Sequence, residues 1–188
     1  MDCLDIIGEY YEKGTVLHEI LIQHGENVAK KALDAAKNVS QLNPDLDFIK
    51  DAAMLHDIGI FLTNMPKFGC TGKHPYICHG YLGRNLLEKK GMPMLALVCE
   101  RHVGVGITPE DIRRYNLPLP ERNMEPVSIE EQIICYADKF FSKNRYSGSE
   151  EKSVRDIKLG LEQYGHDKVA KFQSWFDMFE RGLDVKAV

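Results

Sequence analysis

The stretch that decides the fold is AAMLHDIGIFL, residues 52–62, an apolar segment with a histidine and an aspartate side by side near its end. Its run of alanine, methionine, leucine and isoleucine predicts a buried helix. A carboxylate buried among such side chains is costly unless a positive charge meets it. His56 and Asp57 therefore need a partner, and a metal ion is one such partner. Gly59 is predicted to end the helix in a left-handed conformation, with His56 and Asp57 in its last turn.

Length and composition indicate one domain with a sizeable core. The chain has 188 residues, of which 44% are hydrophobic. A chain of this length buries enough surface to form a core, and no proline- or serine-rich linker divides it. We therefore expect a single domain over residues 1–188.

The charge pattern and the lengths of the apolar segments indicate which binding partners and which cellular location to expect. The formal net charge is −4, and Lys and Arg alternate with Asp and Glu along most predicted helices. This pattern argues against long nucleic acid as an obligate partner. The first residues, MDCLDIIGEYYEKG, lack the basic flank and long apolar core of a signal peptide, and no apolar run is long enough to span a bilayer. We expect a cytoplasmic protein with no membrane partner.

The five cysteines predict free thiols. They stand at positions 3, 70, 78, 99 and 135, and no two of them form a C-x-x-C pair. An odd number without that pairing suits a reducing compartment better than a disulfide framework. A zinc site is an alternative that the sequence leaves open, because four residues have suitable spacing for it: Cys70, His74, Cys78 and His79.

Hydrophobic periodicity predicts an all-α fold, because amphipathic segments follow one another and no alternating strand pattern of convincing length appears. Helical spacing places His24 on the apolar face of the segment 15–33. Asn43 is predicted to cap the helix that ends at Gly59, and Pro44 to take its first position.

Two further helices are predicted over residues 75–91 and 93–104, each ending at a glycine. His79 lies early in the first of them and His102 lies late in the second. A later helix carries Asp138 among apolar neighbours.

The inward-facing polar residues form one set, spread over five predicted helices: His24, His56, Asp57, His79, His102 and Asp138. Neutral imidazoles and carboxylates are ligands that Mn, Fe, Co, Ni and Zn prefer, and the cores of helical bundles commonly hold such sites. Each histidine alone is more often a hydrogen-bonded core residue than a ligand. The adjacent pair of His56 and Asp57 is the most specific sign of a metal site. Neighbouring side chains on a helix point about 100° apart, so they can bind the same ion only near a helix end.

These residues carry a resemblance to a known family. The order H…HD…D, with HDIG intact at residues 56–59, resembles the HD superfamily of metal-dependent phosphohydrolases over residues 16–145. HGYLG at 79–83 and ERHVG at 100–104 resemble the extra histidines of its binuclear branch, which includes HD-GYP cyclic-dinucleotide phosphodiesterases and symmetrical diadenosine tetraphosphate hydrolases. The resemblance implies a single-domain HD-type helical bundle with a C-terminal helical extension at 146–188.

The resemblance also implies a metal centre and a reaction. Two divalent ions are expected, with Fe or Mn favoured over Co, Ni, Zn or Mg. The first ion would be held by His24, His56, Asp57 and Asp138, and the second by His79 and His102, with Asp57 bridging both. A hydroxide held between ions about 3.5–4 Å apart can attack a phosphoryl group in line. The implied reaction is hydrolysis of a phosphoester or phosphoanhydride of a nucleotide or another small phosphorylated metabolite.

Phosphate charge needs cations in addition to the metals. Lys139, directly after Asp138, is the first candidate, and together with Asp57 it is expected to contribute to catalysis. The other candidates for substrate binding are basic residues nearby in the sequence: Arg101, Lys73, Lys67, Arg84 and Arg145. The loops 63–75 and 108–128 follow ligand-bearing helices, and we expect them to rim the pocket.

Departures from the family pattern leave other functions open. Ile60 stands where many relatives have a lysine after HDIG, and no GYP triplet follows His102, which argues against a cyclic-dinucleotide phosphodiesterase. A minority of proteins with the HD fold resemble mixed-valence di-iron oxygenases, which use the same ligand types. The present sequence therefore leaves that function open. A non-enzymatic nucleotide sensor is a third reading. The sequence leaves homo-oligomerisation open.

Overall fold

The computed structural model describes residues 2–143 and 150–182 of the chain. The helices in this part are α1 (Cys3–Gly8), α2 (Val16–Asn38), α3 (Leu46–Leu55), α4 (His79–Lys89), α5 (Pro93–Arg101), α6 (Pro109–Arg114), α7 (Ile129–Asp138), α8 (Val154–Glu162) and α9 (His166–Arg181). Two short antiparallel strands, β1 (Asn64–Met65) and β2 (Cys70–Thr71), form a small hairpin in the loop after α3. The prediction of an all-α fold is confirmed.

The start of α3 differs from the prediction. Asp45, and not Asn43, is the N-cap, since its carboxylate accepts the Phe48 N–H at 2.9 Å. Asn43 instead has a φ of +49° and closes the preceding short turn Ser40–Leu42. Asparagine tolerates this left-handed conformation better than most residues, so it serves the turn and leaves capping to the aspartate.

The end of α3 also differs from the prediction. The helix ends at Leu55, so His56 is its C-cap and Asp57 lies just beyond it. Gly59 has a φ of −84°, an ordinary right-handed value, and the predicted left-handed conformation is wrong. A Cβ at Gly59 would lie 2.3 Å from the His79 carbonyl oxygen and 2.5 Å from the Gly83 nitrogen. Glycine is therefore required here for close packing against α4.

The core is built around the long helix α2. Helix α2 packs against α3, α7 and α9, whereas α4 and α5 pack against each other and α5 joins them to α3 and α7. The C-terminal helices contribute large apolar groups to the same core, since Phe172 and Phe179 are fully buried with ring centroids 5.6 and 5.2 Å from that of Tyr136. Burying such side chains stabilises the fold by about 1.5–3 kcal/mol each.

The five cysteines are all buried and free, as the sequence predicts. Burial raises the pKa of the Cys3 and Cys135 thiols to about 12, so they remain protonated at neutral pH. Among the helices that the structure describes, none combines the length and the apolar character needed to cross a bilayer.

Candidate metal centre

The structure brings the six residues singled out in the sequence to one place, and all six are buried. His24 comes from the middle of α2, and the other five come from helix ends: His56 and Asp57 at the end of α3, His79 at the start of α4, His102 at the end of α5 and Asp138 at the end of α7. Because helices α2, α3, α4, α5 and α7 meet at these positions, the polar groups converge inside the bundle.

The first cluster contains four potential ligand atoms. The Nε2 atom of His24 lies 2.9 Å from Asp138 Oδ1, 3.2 Å from His56 Nε2 and 3.4 Å from Asp57 Oδ2. His56 Nε2 lies 3.2 Å from Asp57 Oδ2 and 3.5 Å from Asp138 Oδ1. Atoms that coordinate one ion at about 2.1 Å are roughly 3 Å apart, so these four surround a space of the right size.

The second cluster shares Asp57 with the first. Asp57 Oδ1 lies 3.2 Å from His79 Nε2 and 3.4 Å from His102 Nε2, and the two imidazole nitrogens are 3.1 Å apart. One carboxylate oxygen of Asp57 therefore faces each cluster. Asp57 is therefore positioned to contribute a ligand atom to each cluster.

Backbone carbonyls orient three of the imidazoles. In each case Nδ1 lies within hydrogen-bond distance of the carbonyl oxygen three residues earlier: His56 to Ala53 at 2.6 Å, His79 to Tyr76 at 2.6 Å and His102 to Cys99 at 2.8 Å. A carbonyl accepts only, so Nδ1 carries a proton in each ring, and Nε2 is the atom left for a ligand when the ring is neutral. Each ring thus points the atom that binds metal toward Asp57.

The two carboxylates carry negative charge into this buried site. Burial raises the pKa of Asp57, but Lys143 and His56 outweigh that effect and the pKa falls well below its usual range. The pKa of Asp138 is also held well below its usual range, because Lys139 and Lys143 outweigh the effect of burial. Both groups are therefore ionised at neutral pH.

The histidines differ in protonation. Burial lowers the pKa of His24 to about 4 and that of His102 to about 3, so both are neutral ligands at neutral pH. Burial also opposes a proton on His56, but Asp57 and Asp138 outweigh it and raise the pKa to about 9. The buried carboxylates thus favour a positive charge at this position.

The donor set fits a pair of divalent metal ions. Neither carboxylate oxygen of Asp57 has a hydrogen-bond partner of acceptable geometry, although nitrogen atoms lie 2.9–3.4 Å away. Such buried groups need an explanation, and a metal ion supplies one. Four imidazoles with two carboxylates suit Mn, Fe, Co, Ni or Zn better than Ca, which prefers oxygen alone.

The alternative zinc site is not formed. Cys78 Sγ donates to the Pro118 carbonyl oxygen at 3.3 Å, whereas His79 faces Asp57. Within residues 2–143 and 150–182, the groups with metal-binding geometry are the two clusters that share Asp57.

Tyr11, which follows helix α1, supports the turn after His56 and Asp57. The hydroxyl of Tyr11 donates to the Ile58 carbonyl oxygen at 2.8 Å and accepts the Phe61 N–H at 3.3 Å. Tyr11 is itself buried. The sequence did not indicate this role, because the residue lies beyond a short helix whose periodicity is too brief to show an inward face.

Two of the arginines predicted to bind substrate are held in ion pairs. Arg84 pairs with the fully buried carboxylate of Glu100 and with Glu88. Arg101 Nη1 donates to both carboxylate oxygens of Glu131, at 2.8 and 2.9 Å. A buried carboxylate requires such a partner, so these two arginines join helices through their ion pairs. Their contact with substrate stays a prediction.

The other predicted cations have different positions. Lys139 reaches the centre, with Nζ 2.9 Å from Asp138 Oδ2. Lys67 and Lys73 are exposed on the loop after α3, where Lys67 Nζ lies 4.8 Å from the centre of the Phe68 ring. Arg145 lies outside the residues that the structure describes.

Lys143 is the cation that the sequence reasoning missed. Its Nζ atom lies 2.9 Å from Asp57 Oδ2 and 3.7 Å from Asp138 Oδ1. The residue follows the end of α7, where helical periodicity no longer indicates which way a side chain points. Its position five residues after Asp138 was the only available signal.

One sizeable cavity is lined by none of the six residues of the candidate metal centre. It has a volume of about 400 Å³ and mostly apolar walls, which include Ile77, Val103 and Tyr164. The charge of Lys168 in its wall is already paired with Asp111. A smaller space of about 10 Å³ touches the centre itself and is lined by residues from several elements: Leu17, Ile20, Leu21, His24, Asp57, Ile60, Phe68 and Lys143. The loop 63–75 thus reaches the centre through Phe68.

Comparisons with known proteins identify a family and several relatives. The sequence profile of the HD domain family matches residues 21–142. The chain is 28% identical over 174 residues to a tRNA (cytidine(56)-2'-O)-methyltransferase of Thermoplasma volcanium, covering 92% of this chain and 45% of that protein. It is 32% identical over 128 residues to a protein of the same name from Picrophilus torridus, covering 68% of this chain and 33% of that protein.

A third relative is closer in length. The chain is 29% identical over 142 residues to an uncharacterized protein of Methanocaldococcus jannaschii, covering 74% of this chain and 73% of that protein. The chain spans less than half the length of the two methyltransferase-named relatives. No solved structure matches the chain.

Proposed function

This chain belongs to the HD domain family, and from that membership we propose that it is a metal-dependent phosphohydrolase with a binuclear centre. The observation that carries the proposal is the position of Asp57, whose two carboxylate oxygens each face a separate cluster of histidines. The proposed substrate is a phosphoester or phosphoanhydride of a nucleotide or another small phosphorylated metabolite.

The ligands divide between two ions. His24, His56, Asp57 and Asp138 would hold the first, and Asp57, His79 and His102 the second. When bound, two divalent ions supply an activated water near neutral pH and neutralise the charge of the phosphoryl oxygens. Mn and Fe, the ions favoured by the resemblance, are among those that suit a donor set of imidazoles and carboxylates.

Other contacts within the chain orient the imidazoles and place positive charge beside the site. The Nδ1 hydrogen bonds to backbone carbonyls keep the Nε2 atoms of His56, His79 and His102 directed at the centre. Lys139 and Lys143 place positive charge beside Asp138, where it can attract a phosphoryl group. A protein nucleophile is not required, and Cys99 is a poor one, since burial raises the pKa of its thiol well above the ordinary value.

The named relatives support a nucleotide-derived substrate. Both methyltransferase-named proteins are described as acting on tRNA. Because this chain spans 45% and 33% of those proteins, methyl transfer is not part of the proposal. We propose that the matching region of each relative is a metal-binding module.

Metal analysis and a substrate panel test the proposal together. Protein purified without chelator or histidine tag is expected to contain about two divalent ions per chain by mass spectrometry, and to release phosphate or a phosphomonoester from at least one nucleotide in a panel. Treatment with a chelator is expected to abolish turnover because the water is no longer activated, and added Mn²⁺ is expected to restore it.

Other outcomes separate the alternatives. Two irons with oxygen uptake and no phosphate product would replace the proposal with a di-iron oxygenase. Nucleotide binding without turnover in the metal-loaded protein would favour a sensor. One metal or none, even after resupply with Mn²⁺ or Fe²⁺, would contradict the binuclear centre.

A further inference from the structure

Lys143 places an ammonium group at the first cluster. Its Nζ atom lies 2.9 Å from Asp57 Oδ2 and 3.7 Å from Asp138 Oδ1, and its side chain is 13% exposed. The same residue lines the small space beside the centre, together with His24 and Phe68. Lys143 is therefore part of the site and not of the solvated surface.

The ammonium and a metal ion require the same oxygen atoms. Asp57 Oδ2 and Asp138 Oδ1 are the two oxygens that face the Nε2 atoms of His24 and His56. A divalent ion held there would lie within a few ångströms of the ammonium, and the repulsion between like charges at such a distance is strong in a buried site. Both cations cannot remain on Asp57 Oδ2.

Lys139 does not compete in this way. Its Nζ atom pairs with the other oxygen of Asp138, Oδ2, at 2.9 Å. A third lysine, Lys152, lies close enough that burial and the positive charges of Lys139 and Lys143 lower its pKa. Lys139 and Lys143 thus place two ammonium groups beside Asp138, one of which also contacts Asp57.

The side chain of Lys143 has the means to move. Lysine carries its charge on a flexible four-carbon stem, which lets the ammonium shift by several ångströms without movement of the backbone. The neighbouring lysines make the nearby space favourable for an anion rather than for another cation. A phosphoryl oxygen is the anion that a phosphohydrolase would bring there.

We propose that Lys143 exchanges partners at this centre, giving up Asp57 to the divalent ion of the first cluster and then binding a phosphoryl oxygen of the substrate. The second half of this exchange rests on the proposed function, whereas the first half depends only on metal binding.

Two binding measurements test the exchange. Chelator-treated wild-type protein, Lys143→Met and Lys143→Arg are titrated with Mn²⁺ by calorimetry, and the Mn²⁺-loaded proteins are then titrated with inorganic phosphate. Removing a charge-assisted competitor is expected to tighten binding of the first Mn²⁺ about tenfold or more in Lys143→Met. Losing the same charge is expected to weaken phosphate binding about tenfold. Lys143→Arg, which keeps the charge, is expected to remain near the wild type in both.

A matched control isolates the direct contact. Lys152→Met removes a nearby positive charge that makes no ion pair with Asp57, and its effect on Mn²⁺ affinity is expected to stay below about threefold. Equal Mn²⁺ affinity in Lys143→Met and Lys152→Met would overturn the competition, and unchanged phosphate affinity in Lys143→Met would overturn the second contact. Lys143→Gln provides the same comparison if the methionine variant does not fold. Tighter Mn²⁺ binding in a protein that hydrolyses nothing in the panel would support the competition while the proposed function fails.

Discussion

Asp57→Asn is expected to lose at least one of the two metal ions and to lower turnover by about 10³-fold or more. The substitution keeps the shape of the side chain but removes its charge and replaces one ligand oxygen with an NH₂ group. Because Oδ2 faces His24 and His56 while Oδ1 faces His79 and His102, either orientation of the amide leaves one cluster with a donor where it needs an acceptor. Metal content and steady-state rates measured on the same preparation check this result.

Asp51→Asn is the matched control for Asp57→Asn. Asp51 lies on α3, the helix that precedes Asp57, and is exposed, so the same chemical change is made nearby in the chain but away from the centre. We expect two metals and turnover near that of the wild type in this control. If Asp57→Asn retained two ions and most of its activity, with circular dichroism showing an intact fold, Asp57 would not bridge the two sites.

Gly59→Ala is expected to destabilise the fold and to weaken the second metal site in particular. The added Cβ would lie 2.3 Å from the His79 carbonyl oxygen and 2.5 Å from the Gly83 nitrogen. Both are backbone atoms, so α4 must move away, and His79 moves with it. We expect a loss of about 3 kcal/mol in the free energy of unfolding, which corresponds to a decrease in Tm of roughly 10 °C. Thermal unfolding and Mn²⁺ titration measure the two effects.

Gly160→Ala provides the control for this substitution. A Cβ at Gly160, in helix α8, meets nothing within 4 Å. Alanine in place of glycine within a helix is expected to stabilise it by up to about 1 kcal/mol. A Gly59→Ala protein that melted with Gly160→Ala, and bound two Mn²⁺ ions as tightly as the wild type, would show that close packing at Gly59 is unimportant.

The residues of the candidate metal centre could be predicted from the sequence because each one breaks a local pattern. Periodicity places His24 on the apolar face of α2, and the apolar run before His56 and Asp57 makes their polarity conspicuous. His79 and Asp138 have the same property, being polar positions among apolar neighbours. The orientation of the imidazole rings is known only from the structure, because the hydrogen bonds from Nδ1 to backbone carbonyls depend on the geometry of each helix end.

The surrounding contacts could not be predicted because they join distant parts of the chain. Arg84 and Arg101 appear as free cations in the sequence, but their partners Glu100 and Glu131 are 16 and 30 residues away. Lys143 follows a helix end, where periodicity gives no direction. The need for glycine at position 59 arises from packing against α4 and not from its own backbone angles.

Diffraction from crystals soaked in Mn²⁺, collected at a wavelength where manganese scatters anomalously, tests the central claim most directly. We predict two anomalous peaks about 3.5–4 Å apart on either side of the Asp57 carboxylate. One peak should lie among His24, His56 and Asp138, and the other between His79 and His102. A single peak, or two peaks that do not share Asp57 as a ligand, would contradict the binuclear centre.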